Sequence, residues 1–489
     1  MGVQFPPGAL NMTNILKKYK HGIILGILIC IYIVYFTIAS TLRYDNFYAG
    51  RFDLGNMDQT VWNTINGRIF QTSNNEGVIT SRVSTHADFI LVLLSPFYLL
   101  WSNPKTLLIL QTVILASGAI FVYLISKEIL KSKNLSLIFG FIFLMNPLVQ
   151  YTNLYDFHPV TLATTLLLAS FYFMLKRRYF LLVIFLILSG ITKEQIWIIT
   201  AIFGLFLLFD KIKKIKLLGL GIITFSFLIF AYLMLYAIPQ SLGGQHFALA
   251  YYSDFGNSPI EVIKNVLFSP QKIFSIMFEA TRLDYLKNLF LPMGFLSFLS
   301  PIFLLFAIPD LLIDLLSSNV QLRQIYYQYT ASITPFIFIS SIFGVKQIMK
   351  LLPKIPKFYF GIYLLIFTFF SAYFFGPMPG SKNPNINMFI KPYSNKEIVE
   401  DFLSKIPEKY SVTATNNLGS HLSHRQSIAT MPMGIEKADV ILFLLNDVFA
   451  KPSLQAQIEM ANEMKTNKDY IKIFEKDDFI VFIKQGILL

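Results

Sequence analysis

Two carboxylates open the first polar stretch of an otherwise apolar chain. Asp53 and Asp58 lie in the run Arg51 to Arg68, with Gly55, Gln59 and Trp62 between or beside them. A carboxylate held at a membrane interface is partly desolvated and becomes a better base than one in free solution. Asp53 is the first candidate for a general base and Asp58 the second. The plainer reading is that Asp53 caps a short helix and Asp58 faces water. Met57, Val61, Trp62 and Ile65 recur at helical spacing, which predicts a helix lying in the interface with Trp62 at headgroup level. The same stretch ends in Arg82, His86 and Asp88. If helical, Arg82 and His86 share a face. A cationic pair beside a carboxylate can hold a phosphate or polarise a leaving group. An ordinary juxtamembrane arginine and a surface histidine are the alternative.

Further along, Asp156 and His158 precede Pro159, a residue suited to the first turn of a helix. An anion is favoured at that position, and simple capping by Asp156 accounts for it equally. Lys193 and Glu194 interrupt two apolar runs, where ionisable residues mark either a clamp or a functional site. Lys193 could meet a lipid phosphate or snorkel to the interface. Asp310 and Asp314 share a face of an apolar helix and could pair with Lys193 or Arg323, or line a polar cavity. Asp310 is expected to act mainly through helix packing. Tyr326, Tyr327 and Tyr329 fit interface anchors, or platforms on which a sugar stacks. No Walker-type phosphate loop, H-E-x-x-H pair, cysteine metal site or G-x-S-x-G elbow is present, which argues against ATP-driven cytoplasmic chemistry.

The elements that must position these residues are membrane helices. Of 489 residues, 54% are hydrophobic and 14% charged, and the mean hydropathy is +0.56. A soluble domain carries about a quarter charged residues. The single cysteine, Cys30, excludes an intrachain disulfide. The net charge of +13 sits in short basic clusters between apolar runs, which fits membrane orientation rather than nucleic-acid binding. The first apolar run, His21 to Thr41, follows Lys17, Lys18 and Lys20 and reads as an uncleaved first helix with a cytoplasmic N-terminus. Four later clusters, at 127–133, 176–178, 211–216 and 346–357, fall on the same side if 89–101 is re-entrant or interfacial and 284–316 makes two passes turning near Ser300. The expectation is about eleven transmembrane helices over residues 1–376, an outer loop at 43–88, and all the polar stretches on the outer face. From 380 to 489 apolar density drops. Strand-like runs at 410–415, 439–445, 470–474 and 479–484, with helical spacing at 394–405 and 453–466, predict a small soluble α/β domain outside the membrane. The segment Gly376 to Gly380 is its linker.

The order of these motifs carries a resemblance. R-F-D-L-G-N-M-D-Q, H-x-D, D-F-H-P, K-E-Q, a proline-bounded helix ending P-D, Y-Y-Q-Y and the tail run Asn417 to Arg425 together resemble an uncharacterised bacterial and archaeal family. It is a predicted-membrane-protein domain of unknown function related to the GT-C glycosyltransferases. The resemblance implies an integral, multi-pass protein of the plasma membrane and cell envelope. It implies transfer of a sugar, with inversion, from a polyprenyl-phosphate carrier to a glycan, lipid or protein acceptor outside the cytoplasm. Asp53 would be the base and Asp58 second. Arg82, His86, Asp88, Asp156, His158, Lys193 and Glu194 would bind substrate. The acidic pair common in that loop is absent here, since Leu54 and Gly55 follow Asp53. Gln195 and Gln328-Tyr329 also stand where the family tends to show Lys-Glu-Asp and a His-Tyr pair. No metal ligands are therefore assigned, although such enzymes can use a divalent cation. Two other readings stay open: a polytopic transporter or lipid flippase, and a non-catalytic relative that scaffolds envelope assembly.

Overall fold

Lipid offers no partners for backbone amides, so an apolar chain must fold as helices or bury its irregular segments in protein. The computed structural model describes residues 7–244 and 247–488. The side chain of Lys17 and part of the 239–283 segment lie outside what is described. The chain opens with α1 (Pro7–Asp45), then the short α2 (Asn56–Ile65) and α3 (Ile90–Leu94). A series of rods follows: α4 (Lys105–Leu130), α5 (Lys133–Met145), α6 (Pro147–Leu154), α7 (Pro159–Leu175), α8 (Tyr179–Gly190), α9 (Ile196–Leu207) and α10 (Lys213–Tyr232). Shorter pieces α11 (Ile238–Leu242), α12 (Pro259–Phe268), α13 (Pro270–Met277), α14 (Ala280–Phe290) and α15 (Ile308–Leu316) precede the long α16 (Thr334–Leu351) and α17 (Lys357–Phe375).

Ionic contacts sort the rod ends. At one end Lys131 and Lys176 both pair with Glu128, at 3.0 and 3.2 Å, and Arg177 pairs with Asp210 at 3.2 Å. Lys357 Nζ donates to the Leu130 carbonyl at 3.3 Å, and His21 meets Asn134 at 2.6 Å. At the other end Lys105 pairs with Asp45 at 2.6 Å. Three of the basic clusters thus converge on one face of the bundle, and the polar stretches gather on the opposite face.

The count of about eleven spans is not reached by helix length. Among the described residues, four helices are long and apolar enough to cross a membrane: Lys18–Asp45, Lys105–Leu130, Lys213–Leu242 and Lys357–Phe375. A fifth is counted if α5 and α6, bent by 42°, form one span. The physical reason lies in what covers the rest. Helices α7 and α9 are short but packed among other helices, with Leu162, Leu167, Ile199 and Phe203 fully buried, so they need not match the bilayer by themselves. The segment 89–101 is a short helix followed by a 3-10 turn, Ser95–Leu99, too short to cross. The stretch 284–316 is not two regular helices. After α14 it runs as 3-10 turns to Phe306. Side chains of its neighbours satisfy its backbone: Ser340 Oγ donates to the carbonyls of Ser297 and Ser300 at 2.6 and 2.7 Å, and Thr368 donates to Pro292 at 3.1 Å. Such protein-buried satisfaction is what irregular backbone at membrane depth requires.

The C-terminal part is a five-stranded sheet in the order β4-β3-β5-β7-β6, formed by β3 (Val412–Ala414), β4 (Ile428–Thr430), β5 (Val440–Leu444), β6 (Tyr470–Lys476) and β7 (Phe479–Lys484). β3 runs parallel to β4 and β5, and β7 runs antiparallel to β5 and β6. Central β5 is buried on both faces. Val440, Leu442 and Leu444 join one core with helix α19 (Lys396–Ser404), while Ile441 and Phe443 join a second with helix α21 (Leu454–Met464). α18 (Asn387–Ile390) precedes α19, and α20 (Asn416–Gly419) lies between β3 and β4. The first polar loop contributes a hairpin of its own, β1 (Gln71–Ser73) with β2 (Ile79–Ser81).

Candidate active site

The turn that carries Asp53 is wound unusually. Residues Arg51–Gly55 form one π-helical turn leading into α2, with Gly50 extended before it. Arg51 anchors that turn from inside, donating to Gln59 Oε1 at 2.7 Å and to the Ser73 carbonyl at 3.0 Å. Burial and the nearby Arg82 charge lower the Arg51 guanidinium to about 9. Asp53 then faces outward from the turn. Its Oδ1 lies 3.0 Å from His158 Nε2, and its Oδ2 accepts from the Tyr155 hydroxyl at 3.1 Å. The His158 and Tyr155 rings stack with centroids 5.4 Å apart. His158 is 7% exposed at its side chain while Asp53 keeps 28%. Burial pulls the Asp53 carboxyl up, but the His158 hydrogen bond and charge, the Tyr155 hydroxyl and Arg82 outweigh it and hold it below the usual carboxylate range.

Asp53 lines a cavity of about 1940 Å³. Its walls come from the first polar loop, the outer ends of the helices and the C-terminal part. Arg82, His86, Asp88, His158, Lys193 and Glu194 line it too. Two of the expected cations are already committed. Arg82 pairs with Asp88 at 2.8 Å with both side chains almost fully buried, and His86 pairs with Glu194 at 2.9 Å. Glu194 also accepts from the Ala87 amide at 3.1 Å. Lys193, by contrast, has no hydrogen-bond or ion-pair partner among the described residues, and it lines the cavity.

Asp58 and Asp156 are not among the cavity's lining residues. Asp58 is fully buried and accepts hydrogen bonds from Tyr98 and from Ser423 of the C-terminal part, with His424 Nε2 3.1 Å away. It joins two parts of the molecule and does not face water. Helix α2 is correspondingly not an interfacial helix, since Met57, Asp58, Gln59, Thr60 and Val61 are all buried. Trp62 stacks on His424 at 5.7 Å instead of anchoring at headgroups. Asp156 does not cap α7, whose N-cap His158 makes no side-chain cap bond. It accepts the Gly50 amide at 3.0 Å and faces Arg43 at 3.8 Å, holding the turn that presents Asp53. Burial, eased by Arg43 and opposed by Asp53, pushes the Asp156 carboxyl up to about 6.

The tail run closes over the loop. His421 Nε2 lies 3.0 Å from the Tyr44 carbonyl, and its ring stacks on Tyr44 at 4.0 Å. Gln59 Nε2 donates to the Arg425 carbonyl at 2.8 Å, and the Phe52 amide donates to Asn416 at 3.1 Å. Asp310 and Asp314 line the same cavity. Neither pairs with Lys193 or Arg323 among the described residues. Tyr155 and Arg51 were legible only as letters of their motifs, and the hydrogen bonds that give them roles cross 102 and 22 positions of sequence. Among the described residues no group of three or more His, Cys, Asp or Glu is arranged to hold a metal ion.

The sequence profile of the predicted membrane proteins DUF2079 matches residues 43–481, nearly the whole chain. The chain belongs to that family. Its match begins at the end of α1 and takes in the first polar loop, the cavity and the sheet. As members of a family of predicted membrane proteins, such chains are integral to the membrane, in keeping with the long apolar helices. No curated protein matches this DUF2079 chain. Among solved structures, it is similar to the oligosaccharyltransferase of Archaeoglobus fulgidus in the apo form, at 13% identity and a TM-score of 0.46, covering 94% of this chain and 70% of that one. A likeness at that score carries no inference about activity.

Proposed function

We propose that this chain is a membrane glycosyltransferase that takes a sugar from a polyprenyl-phosphate carrier and transfers it with inversion to an acceptor hydroxyl. The observation that carries the reading is the part-exposed, ionised Asp53, held by His158 and Tyr155 at the wall of the cavity. The cavity exceeds the roughly 300–1,000 Å³ of ordinary small-molecule pockets, which suits a sugar, a phosphate and the head of a lipid together. Asp53 accepts the proton of the acceptor hydroxyl. The acceptor oxygen attacks the anomeric carbon from the face opposite the phosphate, and the carbon–oxygen bond to phosphate breaks. The electron pair leaves on the phosphate, where the unpaired Lys193 ammonium stabilises it. Arg82 and His86, each held by its carboxylate, shape the polar wall beside Lys193. In this reading the chain has a membrane unit, 1–376, and an α/β unit, 380–489, with the cavity and the α/β unit on the outer face of the plasma membrane. The test supplies the purified full chain, in lipid nanodiscs, with a panel of polyprenyl-phosphate sugars and candidate acceptors. A glycosidic product with inverted anomeric configuration supports the reading. Carrier movement across the bilayer without any such product overturns it in favour of a flippase.

A further inference from the structure

The part of the cavity lining that carries Asp310, Asp314 and Gln328 is built of acceptors. Asp310 is 3% exposed, and Ser332 Oγ donates to its Oδ2. Its Oδ1 has no partner among the described residues. Asp314, one turn on, takes the Tyr285 hydroxyl at 2.6 Å. Gln328 also lines the cavity, and its buried Oε1 likewise lacks a partner. An unpartnered buried carboxylate oxygen is costly, and native structures keep one only with a reason. Both orphan atoms are acceptors, so whatever completes the wall must bring donors. Tyr252 and Tyr329 also line the cavity and carry aromatic rings. Hydrogen-bond donors arrayed over C–H surface describe a carbohydrate ring. A phosphate, which has no donors when fully ionised and would face two carboxylates, is the wrong ligand here.

We propose that Asp310, Asp314 and Gln328 form the subsite that reads the hydroxyls of the carrier-borne sugar, with the tyrosines against its ring. This rests on the glycosyltransferase reading and deepens it. Lys193 lines the same cavity, so a phosphate held at Lys193 would present its sugar to these side chains. Asp53 is then left for the acceptor.

The test measures binding to the full chain in nanodiscs of two probes: polyprenyl phosphate without sugar, and the same carrier bearing the sugar that the wild type binds best. Asp310→Asn and, separately, the volume-matched Gln328→Met are compared with wild type, each first shown to keep the wild-type melting profile. The expected result is an affinity for the glycosylated carrier lowered about tenfold to a hundredfold by Asp310→Asn, and less by Gln328→Met. Affinity for the bare carrier stays within twofold. If both variants bind both probes as wild type does, or lose them equally, the subsite assignment is overturned while the glycosyltransferase reading stands. If the wild type binds neither probe, the glycosyltransferase reading itself falls and takes the subsite with it. If Asp310→Asn fails to fold, Gln328→Met decides alone by the same criterion.

Discussion

At Asp53, burial and hydrogen bonding act in opposite directions on one carboxyl. Burial favours the neutral acid, while His158, Tyr155 and Arg82 favour the anion and prevail. Asp53 is therefore ionised at neutral pH, as the proposed base must be. Asp53→Asn keeps the shape and a hydrogen-bonding group but removes the base, so turnover should fall about 10²–10⁴-fold while insertion and melting are unchanged. A product assay on the purified variant checks this, and full turnover in that variant would exclude Asp53. His158→Asn takes away the largest influence opposing burial. The Asp53 carboxyl should then titrate at higher pH, and the acidic limb of kcat/KM against pH should move toward neutrality. An unmoved limb would mean that His158 does not tune the base.

Between elements, the decisive contact joins the π-helical turn at Arg51–Gly55 to α20 of the C-terminal part. Gly419 permits it: a Cβ there would collide with the Arg51 side chain, and one on Gly50 would collide with Asn416. Around this approach the loop hairpin is stitched to the sheet, with a bridge between Glu76 and Ala429 and a bond from the Thr430 amide to the Asn75 carbonyl at 3.0 Å. Gly419→Ala should destabilise the docking by about 1–3 kcal/mol, as overpacking typically does. Hydrogen exchange of residues 50–60 should speed up accordingly. Gly221→Ala in α10, where a Cβ meets open space, serves as the control and should leave that exchange unchanged. Equal exchange in both variants would show that the turn does not depend on the C-terminal contact.

Over the whole molecule, the C-terminal sheet and the first polar loop must lie on the same side of the membrane, because they share a buried interface. The positive-inside rule predicts that the basic end, with Lys131, Lys176 and Lys357, is the cytoplasmic one. In a Cys30→Ser background, a cysteine at exposed Lys382 should react with an impermeant thiol reagent in intact cells, and one at exposed Lys133 only after the membrane is opened. The reverse pattern would invert the topology and put the cavity in the cytoplasm.

Composition alone determined that the chain is helical and membrane-bound, because hydropathy acts locally and is read without knowing the fold. Strand-like apolar runs at 439–445 and 479–484 marked their strands for the same reason, and in the fold their alternate residues fill two cores. The three-residue strands β1, β2 and β4 escaped notice, since so short a run has no period and forms only because partners distant in sequence are brought beside it. Helix length alone gives four or five spans rather than about eleven, because short apolar helices such as α7 and α9 bury their faces in neighbouring helices. Asp53 and Asp58 looked alike as letters five positions apart. Only tertiary structure separated them, presenting one at the cavity between His158 and Tyr155 and sealing the other beneath Ser423 and His424. Solvation and partners decide what a carboxylate can do, and both are supplied by chain segments far away in sequence.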